Sequence, residues 1–408
     1  MKQYLKCIKC GKEYPLTDAR FRCDCGGLLE VKYEKLPGPE VINLWERRMG
    51  SRDLIDQSGV WRYREFLIDV KDPVTYPEGR TNLYSVSVEG MGKVYVKHEG
   101  ENPTGSFKDR GMTVGISHAR EMGMKAVACA STGNTSASMA AYAARAGIRA
   151  FVFLPSGKVA AGKLAQAVAY GATIFEVSGD FDDAMEIVVK VSSELGIYLL
   201  NSMNPVRLEG QKTIVIDILS QLNWEIPDWI VLPGGNLGNT SAFGKALMEL
   251  KEAGLIDRVP RIATIQAMGA SPFYKSFRED FKSFEPVKAE TVATAIRIGN
   301  PVNFEKAKKS IMFTRGVVEA VTDDEILEAK RLLDRTGIGC EPASAASLAG
   351  ARKLADKGII KNHESVVLVL TGNLLKDPDI VQKVHRTEPI RVGVNFHEIK
   401  GILREVME

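Results

Sequence analysis

Long apolar runs are missing from this chain. No stretch approaches the roughly 20 residues that a helical bilayer span needs, which argues against an integral membrane protein. The opening MKQYLKCIKC lacks the apolar stretch of a secretory signal, so a cytoplasmic location is expected. Charge of one sign is also lacking. Fifty-four basic side chains against fifty-one acidic leave +3 with no long run of either, which argues against nucleic acid as a main partner. The five histidines, His98, His118, His363, His385 and His397, make neither a triad nor a metal pattern and read as structural or surface residues. No internal repeat, low-complexity tract or heptad pattern is visible. Cysteine is scarce beyond the N-terminus: Cys129 and Cys340 stand alone in apolar or small-residue surroundings, as buried free thiols of a reducing compartment would.

What is present is ordinary soluble-protein composition in a chain of 408 residues, more than one hydrophobic core usually covers, so two or more domains are expected. From about Lys93 onward, short apolar runs (KVYVKHE, KAVACA, RAFVFLP, ATIFEV, IYLL, DWIVLP, RIATIQA, SVVLVLTG) alternate with Ala-rich amphipathic stretches. Gly147, Gly171, Gly196 and Gly254 follow helical patterns, at positions where a left-handed cap favours glycine. Strands alternating with helices of this length predict parallel sheets covered on both faces. Ligands of such sheets bind where strands end in loops. Four conspicuous loops lie there: ENPTGSFKDRG, CASTGNTSAS, PGGNLGNTS and VLTGNLLKD.

The other four cysteines crowd into the first 25 residues as Cys7-x2-Cys10 and Cys23-x-Cys25, with Gly11, Gly26 and Gly27 behind the pairs. Two tight knuckles of this kind can close a tetrahedral four-thiolate zinc site, and so small a unit needs such a staple. The second pair is one residue short of usual ribbon spacing, and a ribbon without metal is the alternative. A catalytic metal is not expected, since four thiolates leave no open coordination position.

In Glu101-Asn-Pro-Thr-Gly-Ser-Phe-Lys108-Asp-Arg-Gly111, Asn102 and Pro103 delay a helix. Thr104, Gly105 and Ser106 offer cap chemistry and free N–H donors. A lysine just after such a turn projects into the cleft. It can serve as a phosphate counter-charge, or as a nucleophile once desolvation lowers its pKa. A solvated patch with Asp109 and Arg110 is the bland alternative.

This loop resembles the Schiff-base lysine motif of the fold-type II pyridoxal-phosphate (PLP) enzymes, and of the threonine synthases among them in particular. Serine/threonine dehydratases are similar around a shorter Ser-Phe-Lys core, and cysteine synthases around Ser-Lys-Asp-Arg. Four motifs occur in family order from roughly residue 60 to 380, and the cysteine-rich start is similar to the ribbon that some threonine synthases carry. The resemblance implies a tryptophan-synthase-β-like fold: two doubly wound parallel-sheet α/β domains plus a small N-terminal four-cysteine ribbon. It suggests a ribbon over 1–35, a large PLP-binding domain from 36–110 and 200–390, a smaller α/β domain over 111–199, and a tail over 391–408.

The remaining loops can be weighed from their residues and from the family. Ser131-Thr-Gly-Asn-Thr-Ser136 sits between a strand and an Ala-rich helix, where backbone donors can hold a carboxylate; a plain N-cap turn is the alternative. The resemblance implies that Asn134 bonds the 3′ oxygen of PLP and that Thr132 and Thr135 contact the substrate carboxylate. Dehydratases typically read Gly-Asn-His-Ala here, so Gly-Asn-Thr-Ser fits threonine synthase better. Gly234-Gly-Asn-Leu-Gly-Asn239-Thr240 has the glycines and helix start of a phosphate cradle, without the Gly-Lys-Ser/Thr of a P-loop. By resemblance, Gly235, Asn236, Leu237, Gly238 and Asn239 hold the PLP phosphate. Thr371, after the apolar run SVVLVLTG, would face the pyridine nitrogen; a turn-capping threonine is the alternative. Family members commonly read Thr-Gly-His-Gly-Leu-Lys-Asp there. This chain has Asn373 in the histidine's place, and Asn373 cannot titrate. The segment Asn201–Lys212 resembles the stretch that holds the substrate's own phosphate, through Ser202 and Arg207 with Asn236 assisting. An Arg207–Glu209 pair is the structural alternative. Ala295–Pro301 also matches the family, as a border of the cofactor.

The resulting expectation is a dimeric, cytoplasmic PLP-dependent carbon–oxygen lyase with catalytic Lys108 and structural zinc on Cys7, Cys10, Cys23 and Cys25. It would convert O-phospho-L-homoserine and water to L-threonine and phosphate, the last step of threonine biosynthesis. A serine/threonine dehydratase and a catalytically silent PLP- or amino-acid-binding protein are the alternatives.

Overall fold

Strands in the computed structural model fall into three sheets; residues 2–157, 161–179, 181–385 and 389–407 are described. In chain order the strands are β1 (Gln3–Cys7), β2 (Glu13–Pro15), β3 (Leu29–Tyr33), β4 (Leu83–Val86), β5 (Val94–His98), β6 (Ala126–Ala130) and β7 (Arg149–Pro155). They continue as β8 (Thr173–Val177), β9 (Tyr198–Leu199), β10 (Trp229–Pro233), β11 (Arg261–Ala267), β12 (Val317–Val321) and β13 (Val366–Leu370). The N-terminal sheet has order β2-β1-β3, the larger sheet β12-β11-β10-β13-β5-β4, and the smaller sheet β8-β7-β6-β9. Every pairing in the larger sheet is parallel except the antiparallel edge strand β4, and the smaller sheet is parallel throughout. This is the doubly wound α/β fold with an N-terminal ribbon.

Alternation along the strands explains why both faces are covered. On β10, Ile230 and Leu232 enter one apolar core while Trp229 and Val231 enter the other; Val367 and Val369 of β13 repeat the split against Val366, Leu368 and Leu370. In the smaller sheet Val127 and Cys129 face one core, and Ala128 and Ala130 the other. A strand buried on both sides must be apolar at every position, so these segments read as continuous hydrophobic runs. The helix-closing glycines at 147, 171, 196 and 254 all have positive φ, between 65° and 79°.

In the larger sheet two strands escaped the sequence reading. In β12 the run is broken by Glu319, which is buried and satisfied by Lys357 Nζ at 2.6 Å. β4 is a half-exposed edge strand of mixed polarity.

The helix Pro205–Gln221 is buried along nearly its whole length and packs between helices Lys108–Glu121 and Gly238–Glu252. Its contact with Lys108–Glu121 depends on two glycines. A Cβ on Gly210 would lie 1.7 Å from the Arg110 carbonyl oxygen, and one on Gly111 would lie 3.0 Å from that of Arg207. Lys108 and Arg207, each three residues before its crossing glycine, are thereby brought together.

Candidate active site

Lys108 is the first residue of its helix. The turn before it uses Gly105 at φ 82°, with the Gly105 N–H donating to the Asn102 carbonyl at 2.7 Å. The expected cap chemistry is only partly there. Ser106 Oγ accepts from the Lys108 N–H at 3.4 Å, while Thr104 turns to Asp109, giving its N–H and its hydroxyl to the two carboxylate oxygens at 2.7 and 2.6 Å. Two backbone bonds pin the loop to the end of β13: the Phe107 N–H donates to the Thr371 carbonyl at 3.0 Å and the Asn373 N–H to that of Gly105 at 2.9 Å.

The lysine does not belong to a solvated patch. Asp109 and Arg110 are both buried. Burial pushes the Asp109 carboxyl up to about 6 against its bonds from Ser138 and Thr104. Arg110 lies among Glu99 (2.7 Å), Asp217 (2.7 Å) and the hydroxyl of Thr213 (3.3 Å). Burial first and the Arg207 charge second push the Lys108 amine down to about 7, with Glu341 opposing them.

Asn134 opens the helix Asn134–Ala146, which packs on the smaller sheet; Thr132 is half-buried and Thr135 buried beside it. The Gly133 N–H donates to Ser131 Oγ at 3.3 Å, and Ser136 Oγ donates to the Gly133 carbonyl at 2.8 Å.

After β10 the Gly234 N–H donates to the Ile265 carbonyl at 2.7 Å. Leu237 then takes a left-handed conformation (φ 62°) to start the helix Gly238–Glu252. Among the described residues no acceptor meets the N–H groups of Gly235, Asn236, Leu237, Gly238 or Asn239. The segment expected to border the cofactor lies close by, for a Cβ on Gly235 would come within 3.1 Å of Ile296 Cα and 3.2 Å of the Ala295 carbonyl oxygen. Among the described residues no partner meets the buried amide atoms of Asn239, Gln211 Oε1, Asn303 Oδ1 or Arg207 Nε. Each such group costs about 1–3 kcal/mol if left unsatisfied. Five free N–H groups at a glycine-lined helix start, together with a half-buried lysine whose amine is depressed by desolvation, fit a phosphorylated aldehyde cofactor.

Arg207 is buried, and its Nη1 donates to the Leu200 carbonyl at 2.9 Å. The Arg207–Glu209 alternative is not realised: Glu209 instead pairs with Lys212 at 2.6 Å and Lys245 at 2.9 Å. Among the described residues no carboxylate pairs with Arg207, and burial lowers its pKa to about 10. Ser202 is half-buried on the preceding turn, and its carbonyl accepts from Asn303 Nδ2 at 3.0 Å. Asn236 Oδ1 accepts from the Val302 N–H at 3.4 Å.

Thr371 Oγ1 lies 3.0 Å from Ser344 Oγ and donates to Glu341 Oε1 at 3.3 Å. Asn373 caps the turn that follows, accepting from the Leu375 N–H at 3.0 Å. The sequence reading missed Glu341 and Ser344. The available signal was a glutamate immediately before Pro342 at a helix start, an N-cap position where glutamate is not among the favoured residues.

In the ribbon, knuckle turns bring the four cysteine Sγ atoms within 4.8 Å of one another. Cys7–Cys25 is 3.6 Å, and Cys10–Cys23 and Cys10–Cys25 are each 3.5 Å. Tetrahedral zinc with bonds of about 2.3 Å needs sulfurs roughly 3.8 Å apart, so the donor set fits that ion.

Three comparisons with known proteins concern the chain as a whole. The family described as pyridoxal-phosphate dependent enzyme matches residues 74–372. The chain is 50% identical to a threonine synthase of Methanocaldococcus jannaschii, covering 98% of this chain and 99% of that one. It is 49% identical to one from Methanosarcina acetivorans, covering 97% and 98%. The solved structure of threonine synthase from Escherichia coli superposes with a TM-score of 0.72 at 18% identity, covering 99% of this chain and 100% of that one, a likeness of fold.

Proposed function

The chain belongs to the pyridoxal-phosphate-dependent enzymes and, within them, to the threonine synthases, and we propose that it converts O-phospho-L-homoserine and water to L-threonine and phosphate at the cleft around Lys108. The observation that carries this reading is Arg207: a buried guanidinium without a carboxylate partner among the described residues, close enough to Lys108 to lower its pKa. The free N–H groups of Gly235–Asn239 suit the cofactor's phosphate. A buried cation with no carboxylate partner among the described residues suits a second phosphate, the substrate's.

When bound, pyridoxal phosphate supplies an electron sink for charge developing at the substrate Cα. Lys108 would hold the cofactor and, once released, carry protons between Cα and Cβ. An amine at about 7 is divided between its acid and base forms near neutral pH, as that shuttle requires. Asn134 and Thr371 would orient the cofactor ring from opposite sides of the cleft. The helix start at Asn134, with Thr132 and Thr135, would receive the substrate carboxylate. Arg207, Ser202 and Asn236 would hold the substrate phosphate and neutralise it as it leaves.

The test is product identity. Incubation with O-phospho-L-homoserine is expected to yield threonine and inorganic phosphate in equal amounts, whereas a 2-oxo acid would mark a dehydratase.

The four-thiolate cluster supports a structural zinc on Cys7, Cys10, Cys23 and Cys25. Thiolate ligands must stay reduced, which fits a cytoplasmic enzyme. The helix Phe396–Met407 supports a homodimer, since it exposes Phe396, Leu403, Val406 and Met407 at 71%, 54%, 67% and 84%.

A further inference from the structure

Glu341 joins the two halves of the cleft. Its Oε2 accepts from Asn134 Nδ2 at 3.0 Å, and its Oε1 accepts from Thr371 Oγ1 at 3.3 Å. Asn134 comes from the helix on the smaller sheet; Thr371 follows β13 of the larger one. Glu341 is 5% exposed and its backbone N–H is anchored on the Gly372 carbonyl at 3.1 Å. Residue 372 leaves no room for a side chain, because a Cβ there would lie 2.5 Å from Glu341 Oε1. Ser344 Oγ, bonded by the Gly372 N–H at 2.9 Å, closes the group on the far side of Thr371.

A carboxylate only accepts. It therefore fixes which end of the Asn134 amide faces it and leaves Oδ1 and one N–H for the cleft; it likewise holds the Thr371 hydroxyl proton toward itself, so that Ser344 donates to the same oxygen and one lone pair is left. We propose that Glu341 is a positioning residue, aiming Asn134 and Thr371 at the cofactor ring from a single buried side chain. This rests on the reading of those two residues as ring contacts. The charges facing it are Lys108 and Lys376, and those facing Lys108 are Glu341 and Arg207. Burial raises the Glu341 carboxyl, while Asn134, Lys376, Lys108 and Thr371 draw it back.

Glu341→Ala and Glu341→Gln are compared with wild type as full-length protein reconstituted with pyridoxal phosphate. The readouts are the visible band of the bound cofactor, its pH midpoint, the cofactor Kd, and the residue that borohydride labels. Glutamine keeps one acceptor for Asn134, so Glu341→Gln is expected to hold the cofactor within about threefold of wild type. Loss of its charge lowers the pH midpoint of the band by about 1 unit. Glu341→Ala is expected to raise Kd about tenfold or more and to shift the band. Packing alone would move thermal stability without moving the midpoint in Glu341→Gln. An unchanged midpoint in Glu341→Gln overturns the proposal even where Glu341→Ala does not fold. Equally, a folded Glu341→Ala with wild-type Kd and band overturns it. A label on a lysine other than Lys108, or an unaltered band in Asn134→Ala, would instead overturn the ring-contact reading and this inference with it.

Discussion

Gly210 meets the backbone of Arg110 so closely that a Cβ would sit 1.7 Å from the Arg110 carbonyl oxygen. Two helices cross there with no side chain between them, and this contact sets Lys108 beside Arg207. Gly210→Ala is therefore expected to force the helices apart. Overpacking of this kind costs about 1–3 kcal/mol or more, and the displaced lysine should lose reactivity as well. Denaturant unfolding checks the first expectation and borohydride labelling of residue 108 the second; wild-type values in both would show that the crossing relaxes freely.

Labelling also tests Lys108 directly. Borohydride should fix pyridoxal phosphate to Lys108 and to no other lysine, and Lys108→Ala should bind the cofactor through Gly235–Asn239 without turnover. With the amine at about 7, labelling of the cofactor-free chain by an amine reagent should rise with pH through that value rather than near 10. A midpoint near 10 would show a solvated lysine.

Arg207→Ala is expected to weaken O-phospho-L-homoserine at least tenfold while leaving cofactor affinity near wild type, since a charge-assisted hydrogen bond is worth about 1.5–3 kcal/mol. It also removes a positive charge from beside Lys108, so the Lys108 labelling midpoint should move up. Unchanged substrate kinetics with full cofactor occupancy would make Arg207 a structural residue.

Metal analysis of protein made with zinc present should find about one zinc per chain. A chelator should expose Cys7 and Cys23, both buried, to thiol reagents without displacing pyridoxal phosphate, because the ribbon is a separate three-stranded sheet. Protein that carries no stoichiometric zinc would leave a metal-free ribbon.

The charge cluster behind Lys108 governs acid stability. Despite a burial cost that acts to raise it, Asp217 is held down to about 2 by Lys97 and Arg110. Its folded-state pKa lies below the unfolded value of about 3.9, so its contribution is complete above that value and is lost as pH falls from about 4 towards 2. The difference corresponds to about 2–3 kcal/mol. Asp217→Asn should flatten the fall in stability over that window. Arg110→Ala should cost more, about 3–5 kcal/mol at neutral pH, because Glu99 would be left buried without its main counter-charge and Asp217 with Lys97 alone. Urea melts at pH 3, 5 and 7 distinguish the two variants.

The sequence by itself determined the parallel sheets, because strands buried on both faces must be apolar throughout, as in β10 and β13. It also determined the helix ends at Gly147, Gly171, Gly196 and Gly254, where positive φ is cheap for glycine. The lysine loop, the glycine-rich turn before the helix at Gly238 and the paired cysteines were legible for the same reason: each needs particular residues at fixed short spacing. Tertiary structure decided what depends on residues far apart in the chain. Glu319 hid β12 from a reading of apolar runs, since only folding supplies Lys357 to satisfy it. Arg207 had a near neighbour of opposite charge in Glu209, yet folding gives that carboxylate to Lys212 and Lys245 and leaves the guanidinium with no carboxylate among the described residues. Glu341 lies 207 residues from Asn134 and 30 from Thr371. No local pattern marks such a residue, for its place is set by the approach of two sheets, and the free energy of that approach resides in cores distributed over the whole chain.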